Sequence, residues 1–111
     1  MNMTTESIGG VAIVRVSETR LMYPLLSEFA VTALLKSGER KVLIDLAPVV
    51  YVDSASIGCL MDLYRQTSAA GATLKLSGVQ KRVTTMLTMT GAQQFIDVHG
   101  DEQAALETFG E

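Results

Sequence analysis

The segment VVYVDSASIGCL, residues 49–60, carries the side chains with the clearest potential for chemistry. An apolar run ends at Asp53, and the hydroxyl of Ser54 follows at the predicted start of a helix. A serine at a helix start typically accepts a hydrogen bond from a backbone N–H two or three residues on, which would make it a structural cap. The alternative is an outward-facing hydroxyl that accepts a phosphate, which would meet free backbone N–H groups and the positive end of the helix dipole. That phosphate would add about two negative charges beside Asp53 and could switch off a docking surface without unfolding the chain.

Signatures of the common enzyme classes are absent from the sequence. There is no phosphate loop, no dinucleotide-binding glycine pattern, no H-E-x-x-H and no G-x-S-x-G. Cys59 and His99 are the only cysteine and the only histidine, too few for an ordinary zinc site. His99 is interpreted as a surface residue after the last strand, and Asp45, Asp53 and Asp62 as caps or solvated charges. We therefore expect no enzyme activity, no catalytic residue, no metal site and no cofactor.

Composition and charge narrow the classes of partner. The 111 residues are 48% hydrophobic with two prolines, which predicts a single compact domain over residues 1–111. The formal charge is −3 and no basic patch is present, which argues against direct nucleic-acid binding. The polar start lacks the features of a secretory signal, and the apolar runs are too short for a membrane span. A cytoplasmic protein without membrane insertion is expected.

Alternating strand and helix patterns must position the Asp53–Ser54 junction. VAIVRV from Val11 predicts a strand, and the stretch from Pro24 to Gly38 predicts a helix. Residues 42–46 predict a strand buried on both faces, and a helix begins at Ser54 with apolar residues at helical spacing. Later elements are predicted at 73–78 (strand), 80–91 (helix), 95–98 (strand) and from Asp101 (helix). This alternation predicts the α/β class, with the functional loops at the strand ends.

The motif D-S-[SA]-x-[LI]-G after an apolar strand resembles the anti-anti-sigma factor group of STAS domains. The likeness covers KVLIDL at 41–46, YVDSASIGCL at 51–60, Arg65, AAGATLKLSGVQKRVTTMLTMTG at 69–91 and the closing DEQAALETF. It implies a STAS-like (SpoIIAA-like) fold: a mixed β-sheet of about four or five strands with four α-helices packed mainly on one side.

The resemblance also implies a function, that of an anti-sigma factor antagonist in a bacterial partner-switching pathway that regulates transcription. By position, Ser54 is the phosphorylation site. The partner-binding residues are then Asp53, Ser54, Ala55, Ser56, Ile57 and Gly58. The implied partners are an anti-sigma factor/serine protein kinase of the histidine-kinase-like ATPase fold, bound when Ser54 is unphosphorylated, and a PP2C-type phosphatase.

Two positions depart from the family pattern. Ser56 stands where the family commonly has glycine, so a second hydroxyl lies near the first and is a candidate minor acceptor. The segment Ser17–Leu21 replaces a G-x-L-D loop that touches the partner in sigma-pathway members. The identity of the partner therefore stays open.

A second function remains compatible with this resemblance. STAS-like domains also serve as subunits of transporter or lipid-trafficking complexes, where they bind a partner ATPase without phosphorylation. The intact D-S-[SA] sequence favours the switch. A nucleotide-binding domain would need a phosphate loop that the sequence lacks.

Overall fold

The computed structural model describes residues 3–21 and 28–109. Its strands are β1 (Met3–Ile8), β2 (Val11–Val16), β3 (Arg20–Leu21), β4 (Lys41–Asp45), β5 (Tyr51–Val52), β6 (Thr73–Ser77) and β7 (Asp97–His99). Its helices are α1 (Glu28–Lys36), α2 (Ser54–Ala69), α3 (Lys81–Thr90) and α4 (Glu102–Phe109), with a short 3₁₀ turn at Ala92–Gln94. The predicted helix start at Pro24 lies outside the described residues.

The N-terminal segment forms a β-hairpin that the sequence reading did not predict. Strand β1 pairs antiparallel with β2, and Ile8 lies opposite Val11 across a two-residue turn. Gly9 and Gly10 both have positive φ, 57° and 82°, which is the requirement of a type I′ hairpin turn. The polar residues of β1 are mostly exposed, as suits an edge strand.

Five strands form one mixed sheet in the order β1-β2-β4-β6-β7. All neighbours beyond the first hairpin are parallel. The predicted central strand is therefore confirmed as β4, where Val42, Leu43 and Ile44 are each at most 1% exposed. The predicted last strand begins two residues later than expected, because Phe95 follows the 3₁₀ turn and is 56% exposed.

Helices cover both faces of the sheet unequally. One face packs against α1, α2 and α3 in a large apolar cluster that includes Val31, Leu60 and Val83. Among the described helices, α4 packs against the opposite face, where Leu43 meets Ala105 and Phe109. The predicted mixed sheet with four helices mainly on one side is confirmed, and α4 is the helix that lies on the other side. Asp101, where the last helix was predicted to begin, caps α4, because its Oδ1 accepts the Ala104 N–H at 2.8 Å.

Candidate functional site

The junction between β5 and α2 places Ser54 at the first position of the helix. Asp53 precedes it in extended conformation and is the N-cap: its Oδ1 accepts the backbone N–H of Ser56 at 2.7 Å. Its carbonyl accepts the N–H of Ile57 at 3.1 Å. The capping role that the sequence allowed for Ser54 therefore belongs to Asp53, since only the residue before the first turn has its side chain placed to reach these donors.

The remaining residues of the predicted partner-binding run divide by burial. Ser54, Ala55 and Gly58 are exposed, so their atoms lie on the surface. Ser56 is 0% exposed and Ile57 is 5% exposed, and the Ile57 side chain belongs to the core. A partner that docks on this surface would meet Ser54, Ala55 and Gly58, while the side chains of Ser56 and Ile57 lie beneath them. The partner-binding run as a whole stays a prediction. The role of Ser56 as a minor phosphate acceptor also stays a prediction, and its side chain is buried in this structure.

The Ser56 hydroxyl has a further peculiarity. It is a buried oxygen with no hydrogen-bond partner in the described part of the chain. A buried hydroxyl left unpaired costs about 1–3 kcal/mol relative to a paired one. The Ser56 side chain is thus buried at a cost in stability.

The segment that ends at Leu21 is attached to the junction as a strand, which the sequence did not predict. Strand β3 pairs in parallel with β5, with Arg20 opposite Tyr51 and Leu21 opposite Val52. The N–H of Val50 donates to the Thr19 carbonyl at 2.7 Å and the N–H of Asp53 donates to the Leu21 carbonyl at 3.2 Å. The 19–21 segment is thereby fixed beside the start of α2.

Arg20 lies over the aromatic ring of Tyr51. The guanidinium carbon is 4.9 Å from the ring centroid, within the range of a cation–π contact. Arg20 is exposed and Tyr51 is half-buried, so the pair forms part of the surface next to Ser54. No local pattern in SETRL distinguishes Arg20, because its partner comes from a strand thirty residues away.

A separate polar group lies at the carboxyl ends of the parallel strands. Arg15, Asp45, Ser77 and His99 are register partners across β2, β4, β6 and β7. Ser77 Oγ and His99 Nε2 are buried and have no hydrogen-bond partner among the described residues. His99 was expected to be an ordinary surface histidine. This expectation is wrong for Nε2, because His99 lies in β7, which pairs with β6, and its Nε2 is buried.

Arg15 fastens the first turn of α4 to this row. Its guanidinium donates to both carboxylate oxygens of Glu102, at 2.7 and 2.9 Å, and to Glu6 of the hairpin. The bond from Arg15, followed by one with Asp45, lowers the pKa of Glu102 from 4.5 to about 2. Burial, and after it the bond with Glu102, raises the pKa of Asp45 from 3.8 to about 6. The N–H of Ala47, which donates to Asp45 Oδ1, opposes this rise. The bonds between Arg15 and Glu102 join the first turn of α4 to the sheet.

Residues 3–21 and 28–109 contain neither a metal-binding cluster nor a membrane-spanning helix. No group of three or more metal-ligating side chains occurs there. No helix in those ranges is long and apolar enough to cross a membrane. A cavity of about 130 Å³ lies between the hairpin turn and α4, lined by Ile8, Gly9, Val11, Lys41, Leu106 and Phe109. This volume is well below the roughly 300 Å³ at which pockets for drug-sized ligands begin.

Comparisons with known proteins match the whole of this architecture. The family model of the STAS domain matches residues 2–105. An anti-sigma factor antagonist from Mycobacterium paratuberculosis superposes with a TM-score of 0.85 at 18% identity, over 99% of this chain and 94% of that chain. The phosphorylated form of the Bacillus cell fate determinant SpoIIAA gives a TM-score of 0.72 at 12% identity, over 97% and 99%. Part of the murine anion transporter Slc26a9 gives a TM-score of 0.75 at 20% identity, over 93% of this chain and 18% of that chain.

Proposed function

The chain belongs to the STAS domain family, and from this premise we propose that it is an anti-sigma factor antagonist switched by phosphorylation of Ser54. Unphosphorylated protein binds an anti-sigma factor that is also a serine kinase of the histidine-kinase-like ATPase fold. Phosphorylated protein is released, and a PP2C-type phosphatase restores the binding form. The cell compartment is the bacterial cytoplasm.

One observation carries this proposal: Ser54 is an exposed residue at a helix start whose capping is done by another residue. A serine engaged as a cap would have to leave its hydrogen bond before reacting. Ser54 can instead present its oxygen to a kinase while Asp53 keeps the helix start fixed. The helix start therefore keeps its capping bond before and after transfer.

The transfer step needs nothing from this chain beyond the hydroxyl. Ser54 Oγ attacks the γ-phosphorus of ATP, the bond to the β-phosphate oxygen breaks, ADP leaves, and the hydroxyl proton passes to a base of the kinase. The product carries about −1.5 to −2 charge at neutral pH. Because Asp53 stands next in sequence, the dianion makes this surface strongly anionic, which opposes a partner surface that fitted the neutral form.

The test uses the full chain with each purified kinase-like ATPase encoded by the source organism. We expect ATP-dependent addition of one phosphate, assigned to Ser54 by fragment-ion mass spectrometry, and weaker binding of the phosphorylated form in titrations. Ser54→Ala is expected to bind the kinase and never switch, while the matched control Ser68→Ala, an exposed serine near the other end of α2, behaves as the parent. Equal affinities of the two forms, or phosphate on the buried Ser56, would contradict the proposal.

Two further variants separate charge from structure. Ser54→Asp is expected to weaken binding only partly, because a carboxylate has less charge and fewer acceptor oxygens than a phosphate. Asp53→Asn keeps an N-cap oxygen and removes the neighbouring charge, so phosphorylation should weaken binding less in that background. The purified chain alone is expected to hydrolyse no ATP, and turnover that survives repurification would overturn the non-enzymatic assignment.

A transporter or lipid-trafficking subunit is the second candidate. It is favoured by the structural likeness to part of the anion transporter Slc26a9. In that case the chain would co-purify stoichiometrically with a transporter ATPase or permease, and Ser54→Ala would leave the complex unchanged. Recovery of a kinase-like ATPase whose binding depends on the state of Ser54 would support the switch instead.

A further inference from the structure

We infer that Arg20 responds to a phosphate on Ser54. Its guanidinium, which lies over the Tyr51 ring, pairs with the phosphoserine and is then no longer open to a binding partner. The inference rests on the proposed phosphorylation of Ser54. Its physical content is a contact within one chain, which can be measured without the kinase.

The first step is position. Arg20 lies directly opposite Tyr51 in the β3–β5 pair, and neighbouring strands are about 4.8 Å apart. Ser54 follows Tyr51 by three residues, a span of at most about 10 Å. The bond from the Asp53 N–H to the Leu21 carbonyl fixes the two segments at this separation. A phosphate on Ser54 therefore comes within the range of the long arginine side chain.

The second step is the state of the guanidinium. Of the arginines with ion pairs, Arg15 is bonded to Glu102 and Glu6, and Arg65 to Asp62. Arg20 has no carboxylate within ion-pair distance among the described residues; its contact is with the Tyr51 ring. Stacking occupies the flat face of a guanidinium and leaves the N–H donors at its edge open. Arg20 is thus an oriented cation with no ion-pair partner in the described part of the chain.

The third step is the chemistry of the pair. A phosphoserine offers three oxygens and nearly two charges, and a guanidinium binds such a group through two parallel N–H···O bonds. Before modification, the Arg20 edge faces solvent and is open to an acidic group of a partner. After modification, the same donors are taken by the phosphate. The switch therefore removes a cation from the surface as well as adding an anion.

The experiment uses the full chain carrying genetically encoded phosphoserine at position 54, so that no kinase is needed. The second phosphate pKa is followed by ³¹P NMR titration, since a nearby cation favours the dianion. We expect Arg20→Gln to raise that pKa by about 0.5–1 unit, because exposure reduces the shift from a neighbouring charge. The matched control Arg65→Gln, an exposed arginine of α2, is expected to leave it unchanged.

Two more variants exclude an indirect effect. Arg20→Lys keeps the charge without the fork and should restore part of the shift. Tyr51→Leu removes the ring under the guanidinium and should weaken the pairing, with a smaller rise than Arg20→Gln. A pKa that is the same in the parent and Arg20→Gln, with both folded by circular dichroism, would overturn the inference. Failure of the proposed function is a separate result: a phosphoserine form that shows the Arg20-dependent pKa and keeps full kinase affinity.

Discussion

The Asp45–Glu102 pair predicts an unusual dependence of stability on pH. Asp45 has a pKa raised from 3.8 to about 6 in the folded protein, so it contributes stability below pH 3.8 that is lost as the pH rises through about 6. Glu102 has a pKa lowered from 4.5 to about 2, so its contribution is present above pH 4.5 and is lost as the pH falls toward 2. These two groups together favour maximum stability near pH 4 to 5.

Asp45→Asn isolates the first contribution. An asparagine resembles the protonated carboxyl, because it keeps an acceptor for the Ala47 N–H and a donor for Glu102. The shift of Asp45 corresponds to an upper limit of about 3 kcal/mol at 1.36 kcal/mol per unit. Asp45 is only half-buried, so solvent screening reduces the expected effect to about 1 kcal/mol.

The assay is urea unfolding of the parent and Asp45→Asn between pH 4 and pH 8. We expect equal free energies of unfolding near pH 4 and a variant that is more stable by about 1 kcal/mol at pH 8. Asp62→Asn, which removes an exposed carboxylate of α2, is the control and should show no such gain in stability between pH 4 and pH 8. Parallel profiles for the parent and Asp45→Asn, or a variant less stable at pH 8, would refute the assigned pairing.

Two further predictions concern the scaffold. Leu43 is 0% exposed and packs between the sheet and α4, so Leu43→Ala should lower the free energy of unfolding in urea by about 2–4 kcal/mol. The control Glu107→Ala changes an exposed residue and should have little effect. Equal small effects of the two changes would contradict the sheet assignment. Gly78 and Gly71 have matched φ of 68° and 72°, but a Cβ at Gly78 would lie 2.6 Å from Asp45 Oδ1 while one at Gly71 meets nothing within 4 Å. Gly78→Ala should therefore lower the melting temperature more than Gly71→Ala, both sharing about 1–2 kcal/mol of backbone strain; equal shifts would show that the Asp45 loop moves freely.

Local signals in the chain were enough for the main helices and strands. The apolar run at 42–46 predicted β4, because a strand that is buried on both faces has a continuous apolar sequence. The 3.6-residue spacing of apolar residues after Ser54 predicted α2, because a helix that is buried on one side has this period. The first hairpin was not predicted, since its strand is polar and exposed and only the glycine pair at 9 and 10 marks it. The Ser54 site itself stays a prediction from motif and resemblance, and Ser54 is an exposed residue in the structure.

The sequence by itself determined where α2 begins, that an aspartate and a serine stand at its start, and that no family of enzyme motifs accompanies them. Only the tertiary structure decided which of those side chains caps the helix, which are buried, and which residues join them from elsewhere. Arg20 meets Tyr51, and Asp45 meets Glu102, through pairings between segments thirty or more residues apart. Such contacts depend on strand register and on the face that each helix covers, and these are set by burial over the whole core rather than by any local pattern.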